Sequence, residues 1–483
     1  MGEAGKDQTD LLGWKVFKQN PSNKKFLVDL PPLSQEEQQL VLALGEMFKE
    51  SSKTHEYSQR AEAAEKIREL LRAHCEQNSI MMEVDQFEYL AKIAVMHNYG
   101  YAFIEPLLEQ DFEEIAVIGL NQPVYVFDRK KGWLETNCYF TKQDTVVNVI
   151  NKMARPMGRR ITLQTPRLNT VLPDGSRLHA SIPPISSVEV TIRKFSVKPI
   201  TVPDLISTKT FSSEALAFLW LAMQADASVL ISGNTASGKT STLNALFSFV
   251  PLQERVLITE ETPEINIPHE HRVKMIASQE LGISMSELVQ DSLRMRPDRV
   301  IIGEVRTREE VGALMETIIS GQARGSYATI HAQSGAETLR RIRSLGCLPV
   351  DLGSIDLIVV QRRMQRYDPK TRKLREIRRC TEISEVIPNE QGHNGNGNMA
   401  DENALPLVRK IYSYDSKSDG LVRVLEGSLI ERKICSSTGM EAEELRGEIA
   451  KRKKFLEGMS AGKEAASFEE TIAKMQKFSY AND

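Results

Sequence analysis

No stretch of this sequence is apolar for long enough to cross a bilayer. The longest clearly apolar run, ALAFLWLAM at 215–223, falls well short of the ~20 residues that a spanning helix needs. Cysteine is scarce: five residues, at 75, 138, 347, 380 and 435, an odd number with no C-x-x-C pair. That argues against a disulfide framework and a thiolate zinc site, and makes a reducing cytosol the expected setting. A dominant charge sign is missing too. Lys and Arg number 62 against 65 Asp and Glu, a formal net charge of -3, so the overall balance calls for neither nucleic acid nor an anionic membrane. The opening MGEAGKDQTD has no apolar core of a signal peptide, and Lys6 stands where a myristoylation signal carries Ser or Thr. No internal repeat is visible, which argues against a solenoid.

What is present is an ordinary globular composition, 41% apolar and 26% charged, over 483 residues. That length suits roughly two to four domains. Residues 1–85 read as a charged, largely helical region that could dock a partner. In RAEAAEKIRELLRAH (60–74), Ala61, Ala64, Ile67, Leu70 and Leu71 fall at helical spacing. Residues 86–200 read as a smaller α+β domain. IAVIGLNQPVYVFD (115–128) is strand, turn, strand, TVVNVINKMARPMGRR is a helix ending before Pro156, and VEVTIRKF (188–195) is a further strand. From 201 to 388, helices alternate with short apolar runs (SVLIS, RVLIT, RVIIG), the pattern of a mainly parallel α/β sheet. NEQGHNGNGNMADEN (389–403) reads as a flexible loop or linker. The tail, 404–483, holds the strand KIYSYD and a charged helix near 443–459, with Leu445, Ile449, Leu456 and Met459 as its buried stripe.

The strongest chemical signal is ISGNTASGKTS. Gly233, Asn234, Thr235, Ala236, Ser237, Gly238, Lys239 and Thr240 fit G-x-x-x-x-G-K-[ST], followed by Ser241, after an apolar strand and before a helix. Glycines let backbone N–H groups approach phosphates, and the helix N-terminus adds a favourable dipole. Lys239 is expected on the β- and γ-phosphates, and the Thr240 hydroxyl on Mg²⁺.

Two acidic strand ends follow. RPDRVIIGEVR places Glu304 after Val300–Ile302, where an acid points into a ligand crevice and can orient water. In RVLITEETPEI the apolar run ends on Glu260 and Glu261, which could position water or sit behind a metal. His331 ends a third run, SYATIH. By residue type alone two readings stand for it: a histidine closing a buried strand, or a neutral imidazole that senses the γ-phosphate.

These four boxes, GNTASGKTS, ITEETPEI, LRMRPDRVIIGEVR and GSYATIHA, occur in the order found in the type II/IV secretion ATPase superfamily. The sequence resembles that superfamily over about residues 100–385. The resemblance implies a RecA-like P-loop ATPase domain preceded by a small α+β domain. It implies Mg-ATP as substrate and cofactor, a homohexamer, and a polytopic membrane platform protein as partner. It implies peripheral attachment to the cytoplasmic membrane and the movement of pilin-like or secreted subunits, as in pilus, archaellum or secretion motors. It places His331 in a histidine box. It also implies that the upstream domain supplies arginines to the phosphates: Arg155, Arg159, Arg160, Arg177 and Arg193 are candidates, and Arg177 and Arg193 match the pattern best.

The tail resembles the archaeal branch, and no four-cysteine module of the bacterial type II secretion ATPases is present. Glu261 stands where many relatives carry Asp, and SGQ (320–322) stands where many carry TGH. Two rivals remain. A conjugation-type DNA motor is disfavoured by the charge balance. A non-enzymatic assembly protein is disfavoured by intact Lys239, Thr240 and Glu304. A GTPase switch lacks its N-K-x-D motif.

Overall fold

The computed structural model describes residues 10–17, 25–55, 57, 59–128, 131–195, 199–278, 281–368, 372–389, 404–461 and 467–480. The chain forms two compact units, Met1–Ser196 and Val197–Asp483.

The first unit is α+β. Its strands are β1 (Trp14–Val16), β2 (Lys25–Phe26), β3 (Glu114–Val117), β4 (Pro123–Asp128), β5 (Gly132–Phe140), β6 (Arg167–Val171), β7 (Arg177–Ser181) and β8 (Glu189–Arg193). They pair in the order β1-β5-β4-β3-β8-β7-β6, all antiparallel, with β2 added parallel to β5. Four described helices, Gln35–Ser51, Arg60–Gln77, Val84–Asn98 and the short Ile104–Leu108, precede β3. Residues from both sides of position 85 contribute to one core, in which Val41, Leu44, Ile67 and Leu71 are buried together with Ile115 and Val126. On the helix Arg60–Gln77 the buried positions are Ala63, Ile67 and Leu71. The stripe is thus turned from the expected Ala61 towards Ala63.

The second unit is α/β. Its strands are β9 (Val229–Gly233), β10 (Val256–Glu260), β11 (Arg272–Ile276), β12 (Arg299–Val305), β13 (Gly325–Ile330), β14 (Leu357–Asp368), β15 (Lys373–Ile387), β16 (Leu407–Asp415) and β17 (Gly420–Arg423). The order is β11-β10-β12-β13-β9-β14-β15-β16-β17. Strands β11 to β14 along this path are mutually parallel, and β14 to β17 are antiparallel. Helices cover both faces, so both alternating sets of side chains are buried. Val229, Ile231, Ile258, Ile301 and Val359 point into one core, and Leu230, Val300, Ile302, Ile358 and Val360 into the other.

The apolar run 215–223 lies on the helix Ser213–Gln224 and is buried throughout. Its cover comes from the tail: Leu445, Ile449, Leu456 and Met475 join the same core, and Trp220 stacks on Phe249 at 4.8 Å. Met459 is half-buried against that core. The expected linker, 389–403, lies outside the described residues except for Asn389, which donates to the Ala404 carbonyl at 2.6 Å. Among the described residues no helix is long and apolar enough to cross a membrane.

Candidate nucleotide-binding site

In a parallel sheet the loops after the strands gather along one edge, where ligands bind. The segments after β9, β10, β12 and β13 carry the four boxes to that edge.

After β9 the chain turns through residues 234–238 into the helix Lys239–Leu246. Gly233 is required by packing: a Cβ there would stand 2.0 Å from the Gln361 carbonyl of β14. Gly238 is required by conformation, with φ +95°. The loop is registered to β14 by a two-point clasp. Asn234 donates its Nδ2 to the Arg363 carbonyl at 2.9 Å and accepts the Arg363 N–H at 2.8 Å. Arg378 of β15 donates its Nε to the Ala236 carbonyl at 3.0 Å, and Thr242 donates to Gln361 Oε1 at 2.7 Å. Thr235 and Ala236 are exposed, Ser237 is buried, and Ser241 is half-buried in the first turn of the helix.

Lys239 is buried. Its Nζ lies 3.3 Å from the Gly233 carbonyl, 3.5 Å from that of Asn234 and 3.5 Å from His331 Nδ1. Burial pulls the ammonium below its ordinary value, and the carboxylates of Glu304 and Glu264 oppose that pull. Thr240 donates its hydroxyl to Glu264 Oε2 at 3.0 Å. A hydroxyl beside a carboxylate is a hard oxygen donor set, suited to Mg²⁺.

Glu260 closes β10 and is 2% exposed. Its Oε1 accepts two backbone N–H groups, Glu264 at 2.7 Å and Ile265 at 2.8 Å. These bonds fold the segment 261–265 back, so that Glu264 rather than Glu260 reaches Thr240. Burial raises the Glu260 carboxyl, against the two backbone donors and Lys274.

Strand β12 slips register against β13 between Ile302 and Val305. Such a bulge re-aims a side chain, and here the re-aimed residue is Glu304. A Cβ on Gly303 would come within 3.0 Å of Glu260 Cγ, and Thr329 holds the Gly303 carbonyl at 2.7 Å. Arg306 donates its Nη2 to Glu304 Oε2 at 2.5 Å. His331 Nε2 lies 2.8 Å from Glu304 Oε1 but without hydrogen-bond alignment, so that buried oxygen has no donor among the described residues. Burial alone would raise the Glu304 carboxyl. Arg306, His331 and Lys239 outweigh it and hold the group below the usual carboxylate range.

His331 follows the last residue of β13. Burial and the Lys239 ammonium push it below its ordinary value, so the ring is neutral at pH 7. Lys239 can only donate, so Nδ1 is the acceptor and Nε2 carries the hydrogen, close to Glu304 Oε1 but not aimed at it.

The expected arginines belong to the first unit. Arg177 opens β7, Arg193 closes β8, and the two are direct partners across the antiparallel ladder. Like charges opposed in this way are unfavourable on their own. Glu114 is the other cross-strand partner of Arg193. Arg155 and Arg160 are exposed and Arg159 is half-buried, near the end of the helix Gln143–Ala154.

Three residues at the edge were not singled out in the sequence. Glu264 stands inside ITEETPEI, one turn past the pair of acids that drew notice. Arg306 stands two places after Glu304, and Arg378 answers to no local motif.

The chain is similar in sequence to several known proteins. An uncharacterized protein of Methanocaldococcus jannaschii is 37% identical over 261 residues, 47% of this chain and 36% of that protein. A second from the same organism is 30% identical over 282 residues, 57% of this chain and 96% of that one. A putative conjugal transfer protein of Mycobacterium tuberculosis is 29% identical over 276 residues, 54% of this chain and 78% of that one. The chain therefore spans only about a third of the first relative's length, and these archaeal relatives agree with the branch read from the tail. The family model described as type II/IV secretion system protein matches residues 97–462, the second half of the first unit and most of the second, and the chain belongs to that family.

Proposed function

We propose that this protein is a motor ATPase that hydrolyses Mg-ATP as a homohexamer and powers the movement of pilin-like or secreted subunits. The observation that carries this reading is the convergence of Lys239, the Thr240–Glu264 pair, Glu304 and His331 at one edge of the parallel sheet. Backbone N–H groups of 234–238 and Lys239 bind the β- and γ-phosphates. Thr240, backed by Glu264, would hold Mg²⁺, which when bound neutralises phosphate charge. Glu304 accepts from the attacking water at Oε1, the oxygen that has no aligned donor. Glu260 shapes the turn that delivers Glu264. His331, neutral with its hydrogen on Nε2, reports the γ-phosphate and loses that contact after hydrolysis. Arg177 and Arg193 act as fingers on the charge that develops during phosphoryl transfer.

The protein would work at the cytoplasmic face of a membrane, recruited by a polytopic platform protein, a reading supported by its membership of the secretion system family. The test is ATP turnover by the purified protein beside Glu304→Gln, with mass measured for both. Turnover by hexamer-sized particles, lost in the variant while ATP still binds, supports the reading. Binding without turnover, even with candidate partners or lipid added, sinks it.

A second reading, a DNA-transfer motor, is favoured by the likeness to a putative conjugal transfer protein. DNA-stimulated turnover with a steep salt dependence would select it.

A further inference from the structure

Arg306 joins two carboxylates that stand on different strand ends. Its Nη2 holds Glu304 Oε2 at 2.5 Å, and its Nη1 reaches Glu261 Oε2 at 3.3 Å. The backbone beneath it is fixed. Glu310 Oε2 accepts the N–H of Arg306 at 2.6 Å and that of Thr307 at 2.9 Å, within the capping box that starts the helix Arg308–Ile319. The guanidinium thus springs from a pinned helix start and spans the mouth between β10 and β12.

This arrangement divides the two oxygens of Glu304. Oε2 is occupied by Arg306. Oε1 is turned inward, 2.8 Å from His331 Nε2, buried and without an aligned donor. A carboxylate can rotate about its last torsion, because sp³–sp² torsions are broad. Holding one oxygen removes that freedom and aims the other. Buried acceptors are otherwise nearly always satisfied, so Oε1 is an acceptor kept for a transient donor.

We propose that Arg306 is a positioning residue for hydrolysis: clamped by Glu261, it fixes Glu304 through Oε2 and leaves Oε1 to take the hydrogen bond of the attacking water. This inference rests on the ATPase reading above. It gives Glu261 a task too, that of holding Arg306 rather than touching substrate. Arg306 is half-exposed, with its side chain 54% accessible, so its removal opens no cavity in the core.

The experiment compares steady-state ATP hydrolysis by the wild-type protein, Arg306→Ala, Arg306→Lys, Glu261→Gln, the Glu261→Gln/Arg306→Ala double variant and Glu304→Gln. ATP binding is measured for each by equilibrium titration. Arg306→Ala is expected to lose about 10²-fold in kcat, as misplaced catalytic groups do, with KM and ATP affinity little changed. Arg306→Lys restores part of that loss, since a cation remains but the fork that bridges two carboxylates does not. Glu261→Gln loses less than Arg306→Ala, and adding it to Arg306→Ala costs nothing further. The acid limb of the kcat profile moves to higher pH in Arg306→Ala. The groups facing Glu304 are Arg306, Lys239 and His331, and one cation fewer lets its carboxyl rise.

Wild-type kcat in Arg306→Ala, a loss confined to KM, or losses that multiply in the double variant would overturn the assignment while Glu304→Gln remains inactive. No turnover by the wild type would instead overturn the ATPase reading.

Discussion

Thr240 and Glu264 meet at 3.0 Å across 24 residues of sequence, the threonine hydroxyl donating to the carboxylate. The bond joins the start of the phosphate-loop helix to the segment after β10. The threonine hydroxyl is thereby oriented, with a carboxylate behind it, as the proposed Mg²⁺ role of Thr240 requires. Outer partners of this kind are typically worth 10–100-fold in metal affinity. Glu264→Gln is therefore expected to raise the Mg²⁺ concentration for half-maximal turnover by about 10- to 100-fold while ATP affinity in the absence of Mg²⁺ is retained. A Mg²⁺ titration of turnover, beside nucleotide binding in EDTA, checks this. An unchanged Mg²⁺ requirement would remove Glu264 from the site.

Two glycines give opposite signs for the same substitution. At Gly233 a Cβ would stand 2.0 Å from the Gln361 carbonyl, a backbone atom that cannot step aside. Gly233→Ala should destabilise the second unit by about 1–3 kcal/mol, the usual range for overpacking, and weaken ATP binding by pushing the loop off β14. Gly447, inside the helix Ala442–Ser460, has nothing within 4 Å of where a Cβ would lie. There Ala should stabilise by about 0.5–1 kcal/mol, because the unfolded chain loses freedom and the helix gains propensity. Denaturant melts of both variants decide it. Equal effects would show that the clasp between loop and β14 is looser than the distances imply.

How far the site could be read in the sequence follows from how local its parts are. The phosphate loop is consecutive, so strand, glycines, lysine and helix start all stand in one string. Glu304 and His331 end apolar runs, and in a parallel sheet such ends share an edge. Glu264 escaped because its placement depends on Glu260 bonding to N–H groups at 264 and 265. A fold-back of that kind has no composition signal. The Asn234–Arg363 clasp spans 129 residues and uses the Arg363 backbone, so no residue type at 363 announces it. The strands β1 and β2, three and two residues long, are too short to show a period of two and were invisible within a region that reads as helical. The buried stripe of the tail helix was legible from its helical spacing, but not that it completes the core over 215–223, because cover from afar leaves no local trace.

Two histidines, His269 buried and His97 half-buried, set a pH limit on stability. Burial pushes His97 down to about 4, with help from Lys152 and Lys142. It does the same to His269, against the pull of its bond to Pro251. Both folded values lie below the ordinary 6.5 of an unfolded histidine. As pH falls below 6.5 the unfolded chain takes up protons that the folded chain refuses until about pH 4. Stability is complete above the unfolded value and declines through that window. Between pH 7 and pH 5 each histidine should cost about 2 kcal/mol. His269→Gln should flatten the pH slope of the transition that reports the second unit, and His97→Gln that of the first. Unchanged slopes in both variants would show that other groups govern the acid limb.

The far end of β12 carries a charge cluster that serves the fold. Arg299 is fully buried; its Nε donates to Glu254 at 2.6 Å, its Nη2 to Asp226 at 2.8 Å and its Nη1 to the Tyr327 hydroxyl at 3.0 Å. Arg324 adds a second cation to Glu254 at 2.9 Å and to Asp226 at 3.2 Å. Burial disfavours the Arg299 cation, but these acids keep it charged. Breaking such a pair from one side is worse than never having it, because the remaining charge stays buried. Arg299→Met should cost about 3–5 kcal/mol in a denaturant melt, with Arg324 holding the loss to the lower part of that range. Adding Glu254→Gln to Arg299→Met should recover part of the loss by removing the stranded carboxylate. Glu304 sits at the other end of the same strand, so turnover per folded molecule should match the wild type. A loss in turnover without a loss in stability would mean that this cluster acts on the nucleotide edge through β12 rather than on folding.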